Sequence, residues 1–394
     1  MKQPIYLDYA ATTPVDPIVA NAMMDCLTLD GQFGNPASRS HRFGWQAEEL
    51  VDIARNQVAD LIGADPREVI WTSGATESDN LAIKGIAEAN GKGHIITSAF
   101  EHKAILDCCA YLETKGFQVT YLMPNFNGVI SAEQVESAIQ KNTKLDTILI
   151  TIMMVNNEIG SIQPIAEIGE IANRNNILFH VDAAQAAGKI PIDLKTLKVD
   201  FMSFSAHKIY APKGIGVLYA RINQQPNIEA QIHGGGHERG LRSGTLATHQ
   251  IVGMGLAFEI ARKELQANEQ HVFECKQLFM EGILGVKGIS VNAGIEGHKT
   301  TEKMVSGIIN LQFEGIDSEM LIMAFKDLAI SSGSACTSAS VEPSYVLKTL
   351  GLSNSASHSS LRFSFGRFTT LDEVKSAIKV VKNGYQRLKE MSVD

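Results

Sequence analysis

The sequence predicts an α/β protein in which a doubly wound domain with a mostly parallel sheet is followed by a smaller α+β domain. Short apolar runs alternate with stretches of helical length from about residue 16 to residue 220, which is typical of strand and helix units around a parallel sheet. The run at 148–155 is almost entirely apolar, as expected for a strand in the middle of such a sheet. With 394 residues, 44% of them hydrophobic and 20% charged, the chain is long enough for one large core and one smaller core.

The predicted elements follow one another along the whole chain. Strands are predicted from short apolar runs, and helices from apolar and charged residues that recur at helical spacing. Gly63 marks the end of the second helix. In chain order we predict a helix at 16–30, a helix at 43–62, a strand at 69–72, a helical run at 81–85, strands at 94–99, 119–123 and 148–155, a helix at 165–173, strands at 177–181, 199–204 and 214–220, a long helix from 251, a strand at 307–313, a helix at 318–326, a strand at 361–365 and a helix at 370–389.

The composition argues against several classes of protein. A net charge of −8 disfavours nonspecific binding of nucleic acid by the whole surface, although a local basic patch stays open, so small-molecule ligands are expected. Asp8 falls where a signal peptide needs an apolar run, and no segment is apolar for long enough to span a bilayer. We therefore expect a cytoplasmic protein without membrane association. Five cysteines without a Cys-x-x-Cys pair predict reduced thiols and no zinc site.

Lys208 occupies a turn between the predicted strands at 199–204 and 214–220. A lysine is seldom buried without a partner, and a desolvated amine has a depressed pKa that makes it a nucleophile for carbonyl groups, as in a Schiff base. A lone His-Lys pair is more often a surface lysine beside an unrelated histidine. Both interpretations stay open until the other residues are considered.

The strand at 69–72 leads through small residues at 73–80 into a helix. Free backbone N–H groups and the helix dipole point at such a turn, which therefore predicts an anion site suited to a phosphate. Thr76 either caps the helix or bonds a phosphate oxygen, and both interpretations stay open. The spacing is neither that of a Walker A loop nor that of a Gly-x-Gly-x-x-Gly dinucleotide loop.

Further polar side chains follow the carboxyl ends of predicted strands, the edge at which open α/β sheets bind ligands. They are His102, Asn157, Asp182 and Gln185. Asp182 follows a buried run and needs a cationic partner, which is either a lysine or arginine elsewhere or a protonated pyridine nitrogen, as in pyridoxal-phosphate enzymes. The agreement of these positions with Thr76 and Lys208 favours the Schiff-base site over a solvated lysine.

Two loops carry further candidates. The Gly-rich stretch at 233–245 ends in Arg-Ser-Gly-Thr and could bring Thr245 to a phosphate, including one across a dimer interface. Its histidines lack the helical His-x-x-x-His placement of a metal site, so we predict no metal there. Asn35 lies on a Gly-Asn-Pro turn, where a side-chain amide more often supports the turn than binds a ligand.

Cys336 lies near the centre of a run of small residues at 330–340. Such a run has little to pack, so we expect this thiol to be mobile and exposed, and an idle exposed thiol is the alternative. Arg362 lies within an apolar strand and needs a carboxylate, from another side chain or from a substrate. The remaining cysteines lie in helix-like stretches and are expected to be packing or surface residues: Cys26, Cys108, Cys109 and Cys275.

The Lys208 turn, the Asp-Ala-Ala-Gln segment at 182–185 and the Ser-Gly-Ser-Ala-Cys-Thr-Ser segment at 332–338 together resemble the cysteine desulfurases of the iron–sulfur assembly type. The similarity runs from the segment at 6–13 to the last helix, and the segment at 35–44 is long and specific. The resemblance implies the pyridoxal-phosphate-dependent transferase fold of class V aminotransferases, which is aspartate aminotransferase-like. A large domain at 15–262 would then contain a mostly parallel seven-stranded sheet, and a smaller α+β domain at 1–14 and 263–394 would carry the cysteine loop.

The resemblance also implies roles for the candidate residues. Lys208 would carry pyridoxal 5′-phosphate, His102 would stack on its ring, and Asp182 would pair with the ring nitrogen. The ring oxygen would be flanked by Asn157 and Gln185, the phosphate would be held by Ala75, Thr76, Ser205, His207 and, from the other subunit of a homodimer, Thr245, and the substrate carboxylate would be held by Arg362 and Asn35.

The implied reaction converts L-cysteine to L-alanine. Lys208 would take the α-proton, His102 would shuttle protons, and Cys336 would keep the sulfur as a persulfide. The length of the cysteine loop resembles members that pass sulfur to several acceptors, which implies sulfur transfer to an iron–sulfur scaffold protein, where Cys336 would transiently ligate a cluster, to other acceptor proteins, and for tRNA thiolation. The alternatives are a related lyase or aminotransferase, such as a selenocysteine lyase, and a noncatalytic sulfur carrier or interaction protein.

Two features depart from the family pattern. Ala206 stands where members usually have glycine beside the phosphate ligand His207, so a slightly different local backbone is expected. The sequence ends at Asp394, whereas housekeeping members usually continue into a segment that docks the scaffold. This departure bears on the expected binding of the scaffold and leaves the expected chemistry unchanged.

Overall fold

The structure is a computed structural model that describes residues 3–142, 144–293, 295–296, 299–300, 303–332 and 343–391. The strands are β1 (Ile5–Tyr6), β2 (Val69–Thr72), β3 (His94–Ser98), β4 (Gln118–Leu122), β5 (Thr147–Thr151), β6 (Leu178–Asp182), β7 (Phe201–Ser205), β8 (Gly216–Ala220), β9 (Ile289–Val291), β10 (Ile295–Glu296), β11 (Lys299–Thr300), β12 (Ile308–Phe313), β13 (Leu328–Ala329) and β14 (Ser360–Ser364). The α-helices are α1 (Pro17–Met24), α2 (Arg42–Ile62), α3 (Ala75–Asn90), α4 (Lys103–Glu113), α5 (Ala132–Lys141), α6 (Ile165–Arg174), α7 (Thr248–Ile283), α8 (Ser318–Ala324), α9 (Tyr345–Thr349), α10 (Asn354–His358) and α11 (Leu371–Met391).

Within the described residues, seven strands form one sheet in the order β2-β8-β7-β6-β5-β3-β4. β8 pairs antiparallel with both of its neighbours, and the other pairings are parallel. The predicted α/β class with a mostly parallel seven-stranded sheet is confirmed. Because β6 and β7 are adjacent and parallel, the residues that follow them meet at one edge of the sheet.

The helix bounds follow from local capping. α2 ends as predicted, because Gly63 adopts the left-handed conformation (φ 68°) that glycine tolerates best. The prediction of a helix at 16–30 is wrong in its length. The Asp16 carboxylate caps α1 by accepting a hydrogen bond from the Ile18 N–H, but after Met24 the chain turns back, and the Gln32 N–H donates to the carbonyl oxygen of Asp25.

Two further element bounds differ from the sequence prediction. α3 begins at Ala75, inside the predicted turn, because the Ser78 N–H already bonds the carbonyl oxygen of Gly74. β5 ends at Thr151 and not at 155. The residues after it stay buried without continuing the strand, since the Met153 N–H donates to the side chain of Glu101. The apolar run at 148–155 therefore predicted the burial of these residues correctly but overestimated the length of the strand.

The second core lies in the C-terminal region. The antiparallel sheet β14-β12-β9 packs its buried side chains with those of the second half of α7 and of α11. β1, at the other end of the sequence, pairs in parallel with β13 and so joins this region. The first half of α7 contributes instead to the core of the large sheet. The predicted α+β character of this region is confirmed.

The four cysteines outside the 330–340 segment are all buried, namely Cys26, Cys108, Cys109 and Cys275. In the described part of the chain, no helix combines the length and the apolar character that crossing a bilayer requires.

Candidate active site

Lys208 closes a short 3-10 turn, Ala206–Lys208, that follows β7 directly. Thr13 holds this turn from the N-terminal segment. Its N–H and its hydroxyl both donate to the carbonyl oxygen of His207, and the hydroxyl accepts a hydrogen bond from the Tyr210 N–H at 2.7 Å. The turn is therefore fixed by residues nearly 200 positions away in the sequence. Ala206 is fully buried in it.

The Lys208 amine points at the N-terminal segment. Nζ donates hydrogen bonds of 2.7 Å to the carbonyl oxygens of Ala10 and Ala11, and the side chain is partly buried. The sequence prediction that this lysine lies between two core strands is confirmed. Backbone carbonyls of the segment at 10–11 form part of its surroundings, and no side-chain pattern could have indicated them.

Asp182 ends β6, beside the Lys208 turn. Its carboxylate is buried and accepts a 2.9 Å hydrogen bond from the Ala184 N–H. Burial raises the pKa of Asp182, while the nearby charges of His102 and Lys208 and the bond from Ala184 act in the opposite direction. A carboxylate in such a place favours a cationic partner, as the sequence predicted.

Further buried titratable groups lie near Asp182. Burial raises the pKa of Asp79 well above its ordinary value, and the charge of Asp182 raises it further. His180, fully buried 3.6 Å from Asp79, has a pKa lowered to about 3 by burial. Asp79 and Asp182 are therefore two buried carboxyls whose pKa values are both raised by burial and whose titrations depend on each other.

Glu101 is another buried carboxyl near Asp182. It is fully buried, accepts hydrogen bonds from the Ser98 hydroxyl at 2.5 Å and from the Met153 N–H at 3.0 Å, and has a pKa raised to about 8 by burial. Asp79 and Glu101 were missed by the sequence reasoning. A carboxylate within a buried helix face or directly after a buried strand was the available signal.

Gln185 connects two lysines. Its Nε2 donates to the carbonyl oxygen of Ala10 at 2.8 Å, the same oxygen that accepts from Lys208. Its Oε1 accepts a 2.5 Å hydrogen bond from Nζ of Lys189. Lys189 was not singled out in the sequence, where its position four residues after Gln185 was the only signal.

His102 and Asn157 complete this side of the sheet edge. His102 caps α4, where its Nδ1 accepts a 3.2 Å bond from the Ala104 N–H. Asn157 follows the buried segment after β5. Its Oδ1 is buried and has no hydrogen-bond partner among the described residues. A buried amide oxygen in that state points to a donor that the described residues do not supply.

The N-terminus of α3 lies at the same edge of the sheet, because α3 follows β2 and β2 runs in the same direction as β7. Gly74, at φ 155°, provides the N-cap position without a side-chain cap, and Ala75 and Thr76 are the first two helical residues. Thr76 is exposed and shares a pocket with His102. The interpretation of Thr76 as a helix cap is thereby contradicted, and the anion-site interpretation remains.

Two residues next to Lys208 were also predicted to bind a phosphate. Ser205 is buried at the end of β7. The Nδ1 of His207 lies 3.1 Å from the hydroxyl oxygen of Thr12, and its pKa is lowered to about 4, chiefly by burial and then by Lys208. His207 is therefore neutral near pH 7 and would bind an anion as a neutral N–H donor.

Arg362 on β14 is buried and already bonded. It donates to the Asp8 carboxylate and to the carbonyl oxygen of Asn157, both at 2.8 Å, while its Nε is buried without a partner in the part of the chain that the structure describes. Of the two carboxylates that the sequence left open, the structure shows a side chain, Asp8. The unsatisfied Nε leaves the guanidinium capable of a further bond.

Two of the predicted residues that the structure describes, Asn35 and Thr245, lie outside this cluster. Asn35 is exposed, and its Oδ1 accepts a hydrogen bond from the Ala37 N–H, so the amide supports its own turn. Thr245 is exposed on the loop that follows Ser243. Cys336 lies outside the described residues. Among the residues that are described, no group of His, Cys, Asp and Glu side chains could hold a metal ion.

Comparisons with known proteins place these residues in a family. The model of the class-V aminotransferases matches residues 5–376. Cysteine desulfurase IscS from Aeromonas salmonicida is 59% identical over 394 residues, which cover 100% of this chain and 95% of the relative. The chain belongs to the cysteine desulfurases of the class-V aminotransferase family. The resemblance stated from the sequence is thereby confirmed.

Other similar proteins support the same family assignment for this desulfurase. An IscS of Escherichia coli is 58% identical over 395 residues, with 100% of this chain and 95% of the relative covered. Among solved structures, a NifS-like protein has a TM-score of 0.87 at 34% identity and covers 98% of this chain and 100% of its own. A structure described as SspA in complex with cysteine has a TM-score of 0.81 at 40% identity, with 93% and 100% covered.

Enzymes of this family depend on pyridoxal 5′-phosphate, and the described residues fit that cofactor. The Oδ1 of Asn157, which has no partner among the described residues, would bond a ring substituent. The backbone N–H groups in the first turn of α3, which no side chain caps, would bond the phosphate. Asp182 offers a buried carboxylate for a cationic ring nitrogen, and Lys208 offers the amine.

Proposed function

We propose that this desulfurase converts L-cysteine to L-alanine, retains the sulfur on Cys336 as a persulfide and supplies it for iron–sulfur cluster assembly. One observation carries the proposal. Asp182 is the last residue of β6 and Lys208 follows β7, the adjacent parallel strand, so a buried carboxylate and an amine lie at the same ligand-binding edge of the sheet. A pyridoxal-phosphate enzyme needs that pair of groups, whereas a thiol hydrolase would have no use for them.

The residues that would hold the cofactor divide by the group that each would contact. When bound, pyridoxal 5′-phosphate supplies an electron sink that stabilises negative charge at the substrate α-carbon. Asp182 would pair with the ring nitrogen, His102 would stack on the ring, Asn157 and Gln185 would flank the ring oxygen, and Ala75, Thr76, Ser205 and His207 would bind the phosphate, with Lys208 as the covalent attachment point. Neutral His207 and the backbone N–H groups of α3 would together form a phosphate site built from hydrogen-bond donors.

Substrate binding and proton transfer would use Arg362, Lys208 and His102. Arg362 would bind the substrate carboxylate, since its guanidinium keeps one buried N–H without a partner in the described part of the chain. Lys208, once the substrate occupies the site, would take the α-proton, and His102 would carry protons to and from the reacting atoms. Asn35 is a weaker candidate for the carboxylate, because its amide oxygen is used in its own turn.

The sulfur transfer is a displacement at the substrate sulfur. The thiolate of Cys336 attacks that sulfur, a sulfur–sulfur bond forms and the carbon–sulfur bond breaks. Its electron pair stays with the carbon, which is reprotonated to give alanine. Cysteine and the Cys336 thiol thus become alanine and the Cys336 persulfide, and no external oxidant is needed.

Three further proposals concern the homodimer, the acceptor proteins and the division into domains. A homodimer would bring Thr245 of one subunit to the phosphate of the other, and the exposure of Thr245 here is compatible with that role. A scaffold protein for iron–sulfur clusters and other acceptors, including those of tRNA thiolation, would receive the persulfide sulfur. The chain would divide into a large domain at 15–262 and a small one at 1–14 and 263–394. The two halves of α7, which pack in different clusters of buried side chains, support a boundary within this helix, although Ala10 and Val346 pack in the cluster of the large sheet.

The experiment is incubation of the purified holoprotein with L-cysteine. Alanine is quantified, and the persulfide is mapped by mass spectrometry. We expect one alanine per sulfur transferred and the added mass on Cys336. The Cys336→Ser variant should bind the cofactor normally and form no persulfide, whereas the matched variant of a buried thiol, Cys275→Ser, should behave as the parent. Sulfide release by Cys336→Ser at the parent rate would contradict the proposal.

A further inference from the structure

Lys189 is a lysine next to the cofactor site that the proposed reaction does not use. It lies in the segment between β6 and β7 and lines the same pocket as Lys208 and Tyr9. Its Nζ donates a 2.5 Å hydrogen bond to Oε1 of Gln185. A lysine amine in such a pocket loses solvation, so a lysine at this position is expected to have a structural or functional role.

The contact with Lys189 decides which way the Gln185 amide faces. An amide oxygen can only accept, so Oε1 turns toward the lysine and Nε2, with its two hydrogens, turns away. One of these hydrogens is used on the carbonyl oxygen of Ala10 at 2.8 Å. The same oxygen accepts from Nζ of Lys208, so Gln185 and Lys208 are connected through one backbone carbonyl, and Lys189 is connected to them through Gln185.

We propose that Lys189 is a positioning residue that holds the Gln185 amide with its Nε2 hydrogens directed to the ring oxygen of the cofactor. The inference deepens the proposed function and rests on it. In this arrangement the second hydrogen of Nε2 would be available to the ring oxygen of the cofactor and would stabilise negative charge on it. Without Lys189 only the bond from Nε2 to the carbonyl oxygen of Ala10 would hold this orientation, and in a flipped amide Oε1 would oppose the ring oxygen as a second acceptor.

The charges around Lys189 are consistent with this role. Burial lowers the pKa of Lys189 to about 7, and the groups that add to this effect, Lys208 and Arg362, are both cationic. The amine retains N–H groups to donate in its charged and in its neutral form, so the orientation of Gln185 does not depend on the proton that Lys189 gains or loses.

The test is a pH titration of the visible absorbance of the holoprotein without substrate, which follows the protonation of the cofactor. Lys189→Met should raise the apparent pKa of that titration by about one to two units, the amount expected when a hydrogen bond to a charged oxygen is lost. Lys189→Arg retains donors and should restore most of the parent value. The matched control Lys195→Met removes an exposed lysine of the same connecting segment and should leave the titration unchanged.

A double-mutant cycle separates orientation from charge. If Lys189 acts through Gln185, the shift caused by Lys189→Met disappears in a Gln185→Met background. A shift of the same size in both backgrounds would overturn the proposal, because it would show a direct effect of the lysine charge. An unchanged pKa in Lys189→Met would overturn it as well.

Two controls keep the result interpretable. If Lys189→Met does not fold, as judged by thermal unfolding, Lys189→Gln replaces it in the same cycle, because its amide can present either end and should also raise the pKa. A parent protein that holds no cofactor would contradict the proposed function itself, whereas a parent that titrates normally while the lysine variants do not differ from it contradicts this inference alone.

Discussion

Arg362 and Asp8 form a 2.8 Å ion pair that joins β14 to the N-terminal segment, with the guanidinium almost fully buried and the carboxylate partly exposed. The pair lies beside Asn157, whose carbonyl oxygen accepts the other terminal N–H group of Arg362. A substrate carboxylate would therefore be the second anion on this guanidinium, and its binding would depend on Arg362 more than on Asp8.

Replacing Arg362 tests this arrangement. Arg362→Gln should raise KM for L-cysteine by about 10- to 100-fold, the effect of losing a hydrogen bond between charged groups, with a smaller change in kcat. Steady-state alanine formation measures both constants. Asp8→Asn breaks the same ion pair but keeps the guanidinium, so its KM should stay within about threefold of the parent. Equal increases in KM for the two variants would show that Arg362 acts only through the pair.

Asp182 should be essential for turnover and dispensable for folding. Asp182→Asn keeps the shape of the side chain and removes the charge that would hold a protonated ring nitrogen. We expect kcat to fall by about 100- to 1,000-fold, as when a preorganised electrostatic partner is lost, while cofactor content by absorbance stays near that of the parent. The exposed Asp193→Asn is the matched control. A loss of activity in proportion to lost cofactor would instead indicate a binding role.

Glu101 predicts a pH dependence of stability. Burial raises its pKa from 4.5 to about 8, so the folded state holds a proton that the unfolded state releases. This contribution is fully present below pH 4.5 and is lost as the pH rises through about 8. Glu101→Gln cannot ionise, so its Tm should gain about 3–6 °C on the parent between pH 6 and pH 9. Exposed Glu167→Gln should show no such trend, and a parallel course of the Glu101→Gln and parent curves would refute the prediction.

Thr245 tests the proposed contact across a dimer. Thr245→Val should weaken cofactor affinity about fivefold, as for one lost hydrogen bond. A mixed dimer of Thr245→Val and Lys208→Ala subunits would then contain one site with both residues intact, and that site should bind the cofactor with parent affinity in an absorbance titration. If the remaining Lys208 site shows the weakened affinity, Thr245 serves its own subunit.

The sequence was sufficient for the large sheet and for side chains at strand ends. Asp182 and Lys208 follow buried apolar runs, and parallel strands bring their ends together, so their proximity follows from pattern alone. The end of β5 was not predictable, because residues beyond Thr151 stay buried by bonding to Glu101 and not by continuing the strand. Periodicity reports burial and is silent about such bonds.

The partners of the site residues were harder to predict. The Lys208 amine is held by the carbonyl oxygens of Ala10 and Ala11, which carry no side-chain signal. Asp8 and Lys189 act through tertiary contacts with Arg362 and Gln185, and only the folded chain shows them. The resemblance to a known family supplied the expected roles of the residues, and the structure added the contacts that hold Lys208, Gln185 and Arg362 in place.

The most direct test of the account is the site at which the cofactor is attached. The holoprotein is reduced with borohydride and digested, and the peptide that carries the cofactor is sequenced by mass spectrometry. We predict the adduct on Lys208 and its absence in Lys208→Ala. An adduct on Lys189, whose pKa is lowered to about 7, or no adduct on any lysine, would contradict the central claim.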